Sequence, residues 1–467
     1  MSETSRPEAL AMVVGGGPAP GINGVIASAT IEARNHHIPV IGFMDGFKWL
    51  VKQDFDWDDP KILGEHYRWL QIGDVSDLHL RGGSILRTSR TNPTKKPEHM
   101  EQVLKVFRHF NVKKLVTIGG DDTAFSGSQV YEKAGGAIQV AHVPKTIDND
   151  LPLPESTPTF GFETARHVGV HVVRNLSEDA RTTSRWYLIV SMGRAAGFLA
   201  LGIGKAAAAT LTIIPEEFPE LPPEERPAKE KNKQLRRLSL TQLCDMIIAS
   251  ILKRRRQNRA YGVVVLAEGL LEAIGETKLL EVEGVAQGRY GKLLRDEHDH
   301  LRLGEIEFGR LIKDQLTHHM EKLGIDAPSF IDKDLGYELR CADPIPFDAE
   351  YTRDLGYGAI EFLRSPKAEE YGAIISFEAG VLKPLPFQKM IDPETKRMRP
   401  RKVNVKGEAY KCARRYMIRL NRGELDNPAE LAELARLANM NPDDFRRRFE
   451  YVTDTQREQG PDVIVGS

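Results

Sequence analysis

Apolar runs and turn residues alternate along the first 150 positions in a repeating strand–turn–helix rhythm. "LAMVVGGGPAPGINGVIASATIEARN" reads as a short apolar strand, a Gly/Pro turn and a helix. "IPVIGFMDG" is a second strand, and "EHMEQVLKVFRHFNV" has helical spacing. "KKLVTIGGDD" is a strand running into glycine, "TAFSGSQVYEKAGG" a helix closed by glycines, and "IQVAHVPKTIDND" a strand and loop. Uninterrupted apolar strands separated by helices predict βα winding around buried parallel strands, an α/β fold with Rossmann-like units.

The rhythm continues through "GFETARHVGVHVVRNLSEDARTT" (helix), "SRWYLIVSMG" (strand), "RAAGFLALGIGKAAA" (helix) and "ATLTIIPEEF" (strand). Residues 216–237 are Pro-rich and charged and read as a solvated insertion before a helix over 239–257. "AYGVVVLAEGLL" returns to strand and turn, and residues 271–325 read as polar and mostly helical, a second insertion. "YTRDLGYGAIEFL" predicts a helix, "YGAIISFEAGVLKPLPF" contains a strand, and the last 60 residues read as charged amphipathic helices. The run "KRRRQNR" at 253–259 reads as a solvated helix end. The expected boundaries give an N-terminal α/β lobe over 1–155, a second over 156–380 and a helical extension over 381–467.

Bulk properties narrow the function classes. The chain has 467 residues, enough for two or three domains. A formal net charge of -1 gives no global argument for nucleic acid or a membrane surface. The N-terminus lacks a signal-peptide apolar region, and no apolar run reaches the roughly 20 residues of a membrane helix. Cys244, Cys341 and Cys412 are far apart and form no metal spacing. A soluble protein of the reducing cytoplasm is therefore expected.

Four stretches carry chemistry. "GGGPAPGIN" is either a tight βα turn or a cradle in which backbone N–H groups approach an anion; without a GK[S/T] ending it is not a P-loop. In "TIGGDDTAFSG" a strand ends in Gly120, Asp121 and Asp122, where open α/β sheets bind ligands. A carboxylate there repels phosphate unless it holds a cation; Asp121 suits Mg2+, and the alternative for either aspartate is a helix N-cap. In "PKTIDND", Asp148 and Asp150 project the same way from an extended segment. One can take a proton from an attacking hydroxyl, the other can hold metal, and Lys145 can neutralise phosphate charge, although Asp-Asn-Asp is also ordinary turn chemistry. "SMGRAAG" at 191–197 follows Arg185, and "AEG" and "GYELR" supply Glu268, Tyr337 and Arg340. Histidine pairs at 36–37 and 318–319 read as surface.

Taken in order, GGGPAPGIN, GGSILRTSR, GGDD, PKTIDND, SMGRAAG, AEG and GYELR resemble the phosphofructokinase superfamily across roughly residues 10–380. The tail "YKCARRYMIRL" resembles its diphosphate-using branch. That resemblance implies two α/β lobes, one for the phosphoryl donor and one for the sugar phosphate. It implies transfer of a phosphoryl group to the 1-hydroxyl of fructose 6-phosphate, a glycolytic step, with Mg2+ as cofactor. Residue by residue, it makes Asp148 the base, Thr146 a sugar-side contact and Arg194 an arginine near the transferring phosphate. Met192, Gly193 and Glu268 become sugar contacts, and Arg340 with Tyr337 serves the sugar 6-phosphate. Asp121 becomes the metal ligand with Asp150 in support; Gly16, Gly17, Gly120 and Arg90 fall on the donor side. Arg185 matches an arginine supplied by a neighbouring subunit, which implies a homodimer or homotetramer with shared active sites.

The donor is read from two positions. ATP-using relatives carry glycine where Asp122 stands, and the diphosphate branch carries aspartate. A carboxylate there crowds and repels the α-phosphate of ATP, whereas diphosphate has no further group to accommodate. Lys145 points the same way more weakly. Tyr337 replaces a histidine of the ATP family, and Ile331 stands where bacterial ATP enzymes have a phosphate-binding arginine, with Lys333 as the nearest substitute. Diphosphate-dependent phosphofructokinase is thus expected. The alternatives are an ATP-dependent kinase, or a non-catalytic regulatory subunit, against which Asp121, Asp148 and Arg194 all speak. The sequence leaves sedoheptulose 7-phosphate open as an acceptor.

Overall fold

Residues 9–14 alternate between two cores, which makes their strand the centre of the first folding unit. Leu10, Met12 and Val14 enter a cluster with Ile22, Ile26, Val116, Phe160 and Ile360. Ala11 and Val13 enter another with Phe43, Phe107, Leu115 and Val140. Side chains two apart share a face, so a strand apolar at every position must be covered on both sides. The structure, a computed structural model, describes residues 6–53, 55–154, 157–193, 196–231, 233–291, 305–390 and 400–454.

The first sheet has seven strands in the order Leu385–Pro386, Ala373–Ile374, Gln139–Pro144, Val112–Gly119, Ala9–Val14, Val40–Phe43 and Tyr67–Leu70. The inner pairs are parallel and the two outermost strands antiparallel. Helices Ile22–Asn35, Pro97–His109, Asp121–Lys133 and Pro346–Arg364 form most of the crossovers and cover. The second unit has a four-stranded parallel sheet in the order Leu211–Ile213, Gly262–Ala267, Trp186–Ser191 and Phe330–Leu335. The expected α/β class with mostly parallel sheets is what the chain forms.

The division into units differs from the one expected. Residues Met1–Val168 and Tyr337–Arg401 form the first unit, and Gly169–Gly336 and Lys402–Ser467 the second. Residues 337–401 belong with the first because the strand Ala373–Ile374 hydrogen-bonds alongside Gln139–Pro144. Asp348, wholly buried, also accepts hydrogen bonds from Gly161 N, Thr164 N and Thr164 Oγ1. The extension over 381–467 is likewise not one body, since the chain passes from one unit to the other after Arg401.

Two charged stretches are not the solvated segments their composition predicts. Within 216–237, Glu216, Glu217, Phe218, Glu230 and Leu235 are buried. Each acid has partners that offset its desolvation: Glu230 accepts from Glu276 N, Thr277 N and Thr277 Oγ1, and Glu216 from Gly197 N and Val403 N. In 253–259, Arg254 is buried, and Lys253 and Arg256 bind Glu424 at 2.9 and 3.3 Å. A basic run at a helix end (Leu240–Arg256) here ties down the following helices Arg422–Asp426 and Pro428–Leu437, the latter through Arg256–Glu430 at 3.2 Å.

The strongest tie of that tail is an ion pair sealed from water. Arg419 meets Glu217 through two nitrogens, at 2.5 and 2.8 Å, and donates to Thr212 O at 2.6 Å. Both side chains are at most 3% exposed. Removing one partner strands a buried charge, so Arg419→Met is expected to lower unfolding stability by about 3–5 kcal/mol in urea titration. Arg181→Ala, which breaks an exposed pair with Glu178, is expected to leave the midpoint almost unmoved.

Candidate functional site

Three neighbouring parallel strands end at the same edge of the first sheet, and each runs directly into a loop that carries chemistry. Val14 is in register with Ile118, and Gly119 with Pro144. The ladder extends one residue beyond the strands: Gly15 N donates to Ile118 O at 2.9 Å, and Lys145 N to Gly119 O at 2.8 Å. Gly16–Gly17, Gly120–Asp122 and Lys145–Asp150 therefore leave the sheet side by side at strand carboxyl ends, the usual ligand position of open α/β sheets.

The glycine turn is fixed by what surrounds it. A Cβ on Gly15 would lie 2.3 Å from Thr123 Oγ1, so the first turn residue must lack one. Gly16 sits at φ +83°, and its N donates to Ser89 O while its O accepts from Thr88 Oγ1 at 2.7 Å. The stretch that ends in Arg90 is thus pinned to the turn. The helix that follows begins only at Ile22.

Lys145 organises the site. Its side chain is buried and its Nζ donates to Gly17 O. Burial pushes its pKa from 10.5 down to about 8; Asp148 and Asp150 oppose the shift, and the cations of Arg340 and Arg90 add to it. Arg340 lies beside the turn, 3.6 Å from where a Cβ of Gly17 would stand, and stacks on the exposed Tyr337 ring at 4.9 Å. Expected on the sugar side, Arg340 and Tyr337 thus sit within the unit that carries the loops expected on the donor side.

The loop after Lys145 bends on itself. Thr146 Oγ1 accepts from Asp148 N at 3.0 Å, and Thr146 O accepts from Thr159 Oγ1 at 2.9 Å. Buried Asn149 takes a left-handed φ of +55°, which asparagine tolerates better than most residues. Asp121 and Asp122 are exposed in the first turn of the helix Asp121–Lys133. Neither caps it, because the cap position falls on Gly120; their charges instead complement the helix dipole.

The second unit carries its expected residues at equivalent strand ends. Met192 N donates to Leu335 O at 3.0 Å, Glu268 N to Ser191 O at 2.9 Å, and Gly193 N to Glu268 Oε2 at 3.3 Å. Arg194 lies outside the described residues. Arg185 is exposed at the opposite end of Trp186–Ser191, six residues or about 20 Å away. Lys333 is exposed and shares a strand face with Ile331.

For a metal, the first unit offers hard carboxylate oxygens from Asp121, Asp148 and Asp150. Among the described residues, the group of three whose ligand atoms converge is Glu32, His36 and Glu361, elsewhere in the fold. The donor chemistry of the site aspartates suits Mg2+, a hard cation that takes one or two carboxylates together with waters and phosphate oxygens. Sequence reasoning missed the supports: Thr88, Thr123 and Thr159, which brace the loops, and Arg401, which grips 149–150. Asn149 alone had a local signal, the Asp-Asn-Asp turn pattern.

Parallel sheets with a buried amine, arginines and carboxylates gathered at strand ends define an α/β protein of the open-sheet type, with charged groups at the edge where such sheets place ligands. A phosphofructokinase family profile matches residues 9–363. A pyrophosphate–fructose 6-phosphate 1-phosphotransferase of Thermotoga maritima is 46% identical over 96% of this chain and 99% of its own length. One of Naegleria fowleri is 48% identical over 95% of each. Among solved structures, the Pichia pastoris phosphofructokinase in the T-state matches with a TM-score of 0.63 at 17% identity, over 89% of this chain and 42% of that one. A pyrophosphate-dependent phosphofructokinase from Nitrosospira multiformis matches with a TM-score of 0.61 at 17% identity, over 88% and 91%. The chain belongs to the phosphofructokinase family.

A lysine whose native pKa is depressed to about 8 is charged below that value and neutral above it. If its ammonium serves an anionic ligand, kcat/KM, which reports the free enzyme, is expected to fall above about pH 8, and Lys145→Met to remove that limb while lowering kcat about 100-fold. Stability runs the other way. Between pH 8 and 10.5 the unfolded chain holds a proton that the native site releases, so the cost of burying the Lys145 charge is relieved and stability rises with pH through that window.

Proposed function

We propose that this protein transfers a phosphoryl group reversibly from inorganic diphosphate to the 1-hydroxyl of fructose 6-phosphate, releasing phosphate and fructose 1,6-bisphosphate. The observation that carries the reading is the electrostatic neighbourhood of Lys145, which joins Asp148, Asp150, Arg340 and Arg90 around one buried ammonium. The names of the relatives at 46% and 48% identity support the same reaction.

In this reading the Asp148 carboxylate takes the proton of the sugar 1-hydroxyl. The hydroxyl oxygen forms a bond to the nearer phosphorus of diphosphate, the bridging P–O bond breaks, and its electron pair leaves with phosphate. Lys145 and Arg194 neutralise charge on the transferring group, and Arg90 with the Gly16–Gly17 and Gly120 backbones orients the donor. Thr146, Met192, Gly193 and Glu268 hold the sugar, and Arg340 with Tyr337 its 6-phosphate. Asp121 and Asp150 would hold Mg2+, which when bound neutralises diphosphate oxygens. Diphosphate and a sugar phosphate have comparable transfer potential, so the step runs both ways. Free thiols at Cys244, Cys341 and Cys412 suit a reducing cytoplasm.

Asp122 sets the donor. With fructose 6-phosphate present, turnover is expected with diphosphate and not with ATP, and Asp122→Gly to admit ATP weakly. Strong wild-type turnover with ATP alone would sink this assignment in favour of an ATP-dependent kinase.

Arg185, exposed and remote from Met192 along its own strand, is assigned to the site of a second copy of the chain in a homodimer or homotetramer. Asp148→Ser and Arg185→Ala are each expected to abolish turnover as homo-oligomers. Refolded together, they are expected to regain it, since a mixed pair contains one intact site. No recovery on mixing would place Arg185 in its own chain's site.

A further inference from the structure

The proposed base stands on a loop whose shape is held from far along the chain. Arg401 lies 252 residues beyond Asn149, yet its Nε donates to Asn149 O at 2.7 Å and a terminal nitrogen donates to Asn149 Oδ1. Its other terminal nitrogen donates to Thr157 O at 2.9 Å and to Pro154 O at 3.4 Å. Its backbone N donates to Asp150 O at 2.7 Å. One residue thus ties residues 149–150 to the carbonyls of Pro154 and Thr157. Asn149 Oδ1 also accepts from Thr159 N at 3.0 Å, so the amide oxygen is shared between two anchors.

The grip matters because the turn is costly to form. Asn149 is buried at φ +55°, a region that most side chains avoid. Its carbonyl and amide oxygen are both out of water and need donors. A planar guanidinium with several N–H groups in fixed directions can serve both, together with the carbonyls at 154 and 157; an ammonium on a flexible stem cannot. Burial lowers the Arg401 pKa and Asp150 raises it, so the guanidinium is also a fixed charge beside the loop.

We propose that Arg401 is a positioning residue: it sets the backbone of residues 149–150 and so aims Asp148 and Asp150 at the reacting groups without touching substrate. This rests on the assignment of Asp148 as base, and the variants separate the two ideas. Arg401→Met and Arg401→Lys are expected to lower kcat about 30-fold or more, while the KM for fructose 6-phosphate changes less than about threefold. Lysine is expected not to rescue, because the requirement is the fork and not the charge. Asn149→Ala, with Arg401 intact, is expected to lower kcat similarly by straining the left-handed turn. Combined with Arg401→Lys it should lose much less than the product of the single effects. Circular dichroism and thermal midpoints identify which variants are folded; should Arg401→Met not fold, Arg401→Lys and Asn149→Ala carry the test. A kcat within twofold of wild type in folded Arg401→Lys, or full multiplicativity with Asn149→Ala, overturns the proposal. If instead Asp148→Ser keeps its turnover, it is the base assignment that fails.

Discussion

A lysine ammonium out of water is the constraint to which the rest of the first unit is fitted. Lys145 leaves the end of an inner strand, and its amine turns back to the carbonyl of Gly17 on the turn after the central strand. For the amine to reach that carbonyl, the turn must pass close over the sheet edge. Gly16 makes this possible, since a Cβ there would come within 3.4 Å of the amine and its φ of +83° is one that side chains rarely adopt. Asp148 and Asp150 favour the charged form, while Arg340 and Arg90 oppose it. Three cations held near one another repel, and a polyanion among them relieves the repulsion. Electrostatics of this kind binds phosphate groups closely and leaves the lysine charge responsive to them.

Against that positive group stands the pair of aspartates at the start of the helix Asp121–Lys133. The helix dipole steadies them there, so the carboxylates need no other cation to be tolerated. Their effect on a ligand is asymmetric. In the proposed reading, metal held by Asp121 would attract a phosphate, whereas Asp122 would repel a further one. A short donor meets only the first condition; a nucleotide meets both. Selectivity of this form works by exclusion and needs no added contact to diphosphate.

The strands, most helices and the glycine turns were legible because their signals are local. An apolar run such as "LAMVV" has to be covered on both faces, and a GG following it has to be a turn. What sequence could not give was which segments return. Residues 373–374 complete the first sheet through hydrogen bonds to 141–142, a pairing that two short apolar residues do not announce. The charged stretches misled for a related reason. Glu217 belongs to a polar run, and its buried partner, Arg419, comes from 202 residues further along the chain. Site residues split the same way: those assigned to ligand sit in compact motifs, and those that brace the motifs from further along the chain, Thr159 and Arg401, look like any other threonine or arginine.

The way the base loop is braced has a chemical logic. An arginine bound directly to a general base stabilises its ionised form and weakens it as a proton acceptor. Arg401 donates to the main-chain carbonyls of Asn149 and Asp150 and to the uncharged Asn149 amide. The guanidinium charge is also felt by Asp150, and those acceptors fix the direction of the loop. Thr159 does the same from the other side, by way of Thr146 O and Asn149 Oδ1. A loop made this way limits how far its carboxylates can stray, and proper placement is what in-line transfer depends on. It also explains why an asparagine stands between two aspartates: the residue that turns the chain must tolerate a left-handed φ and offer a buried oxygen to its anchors.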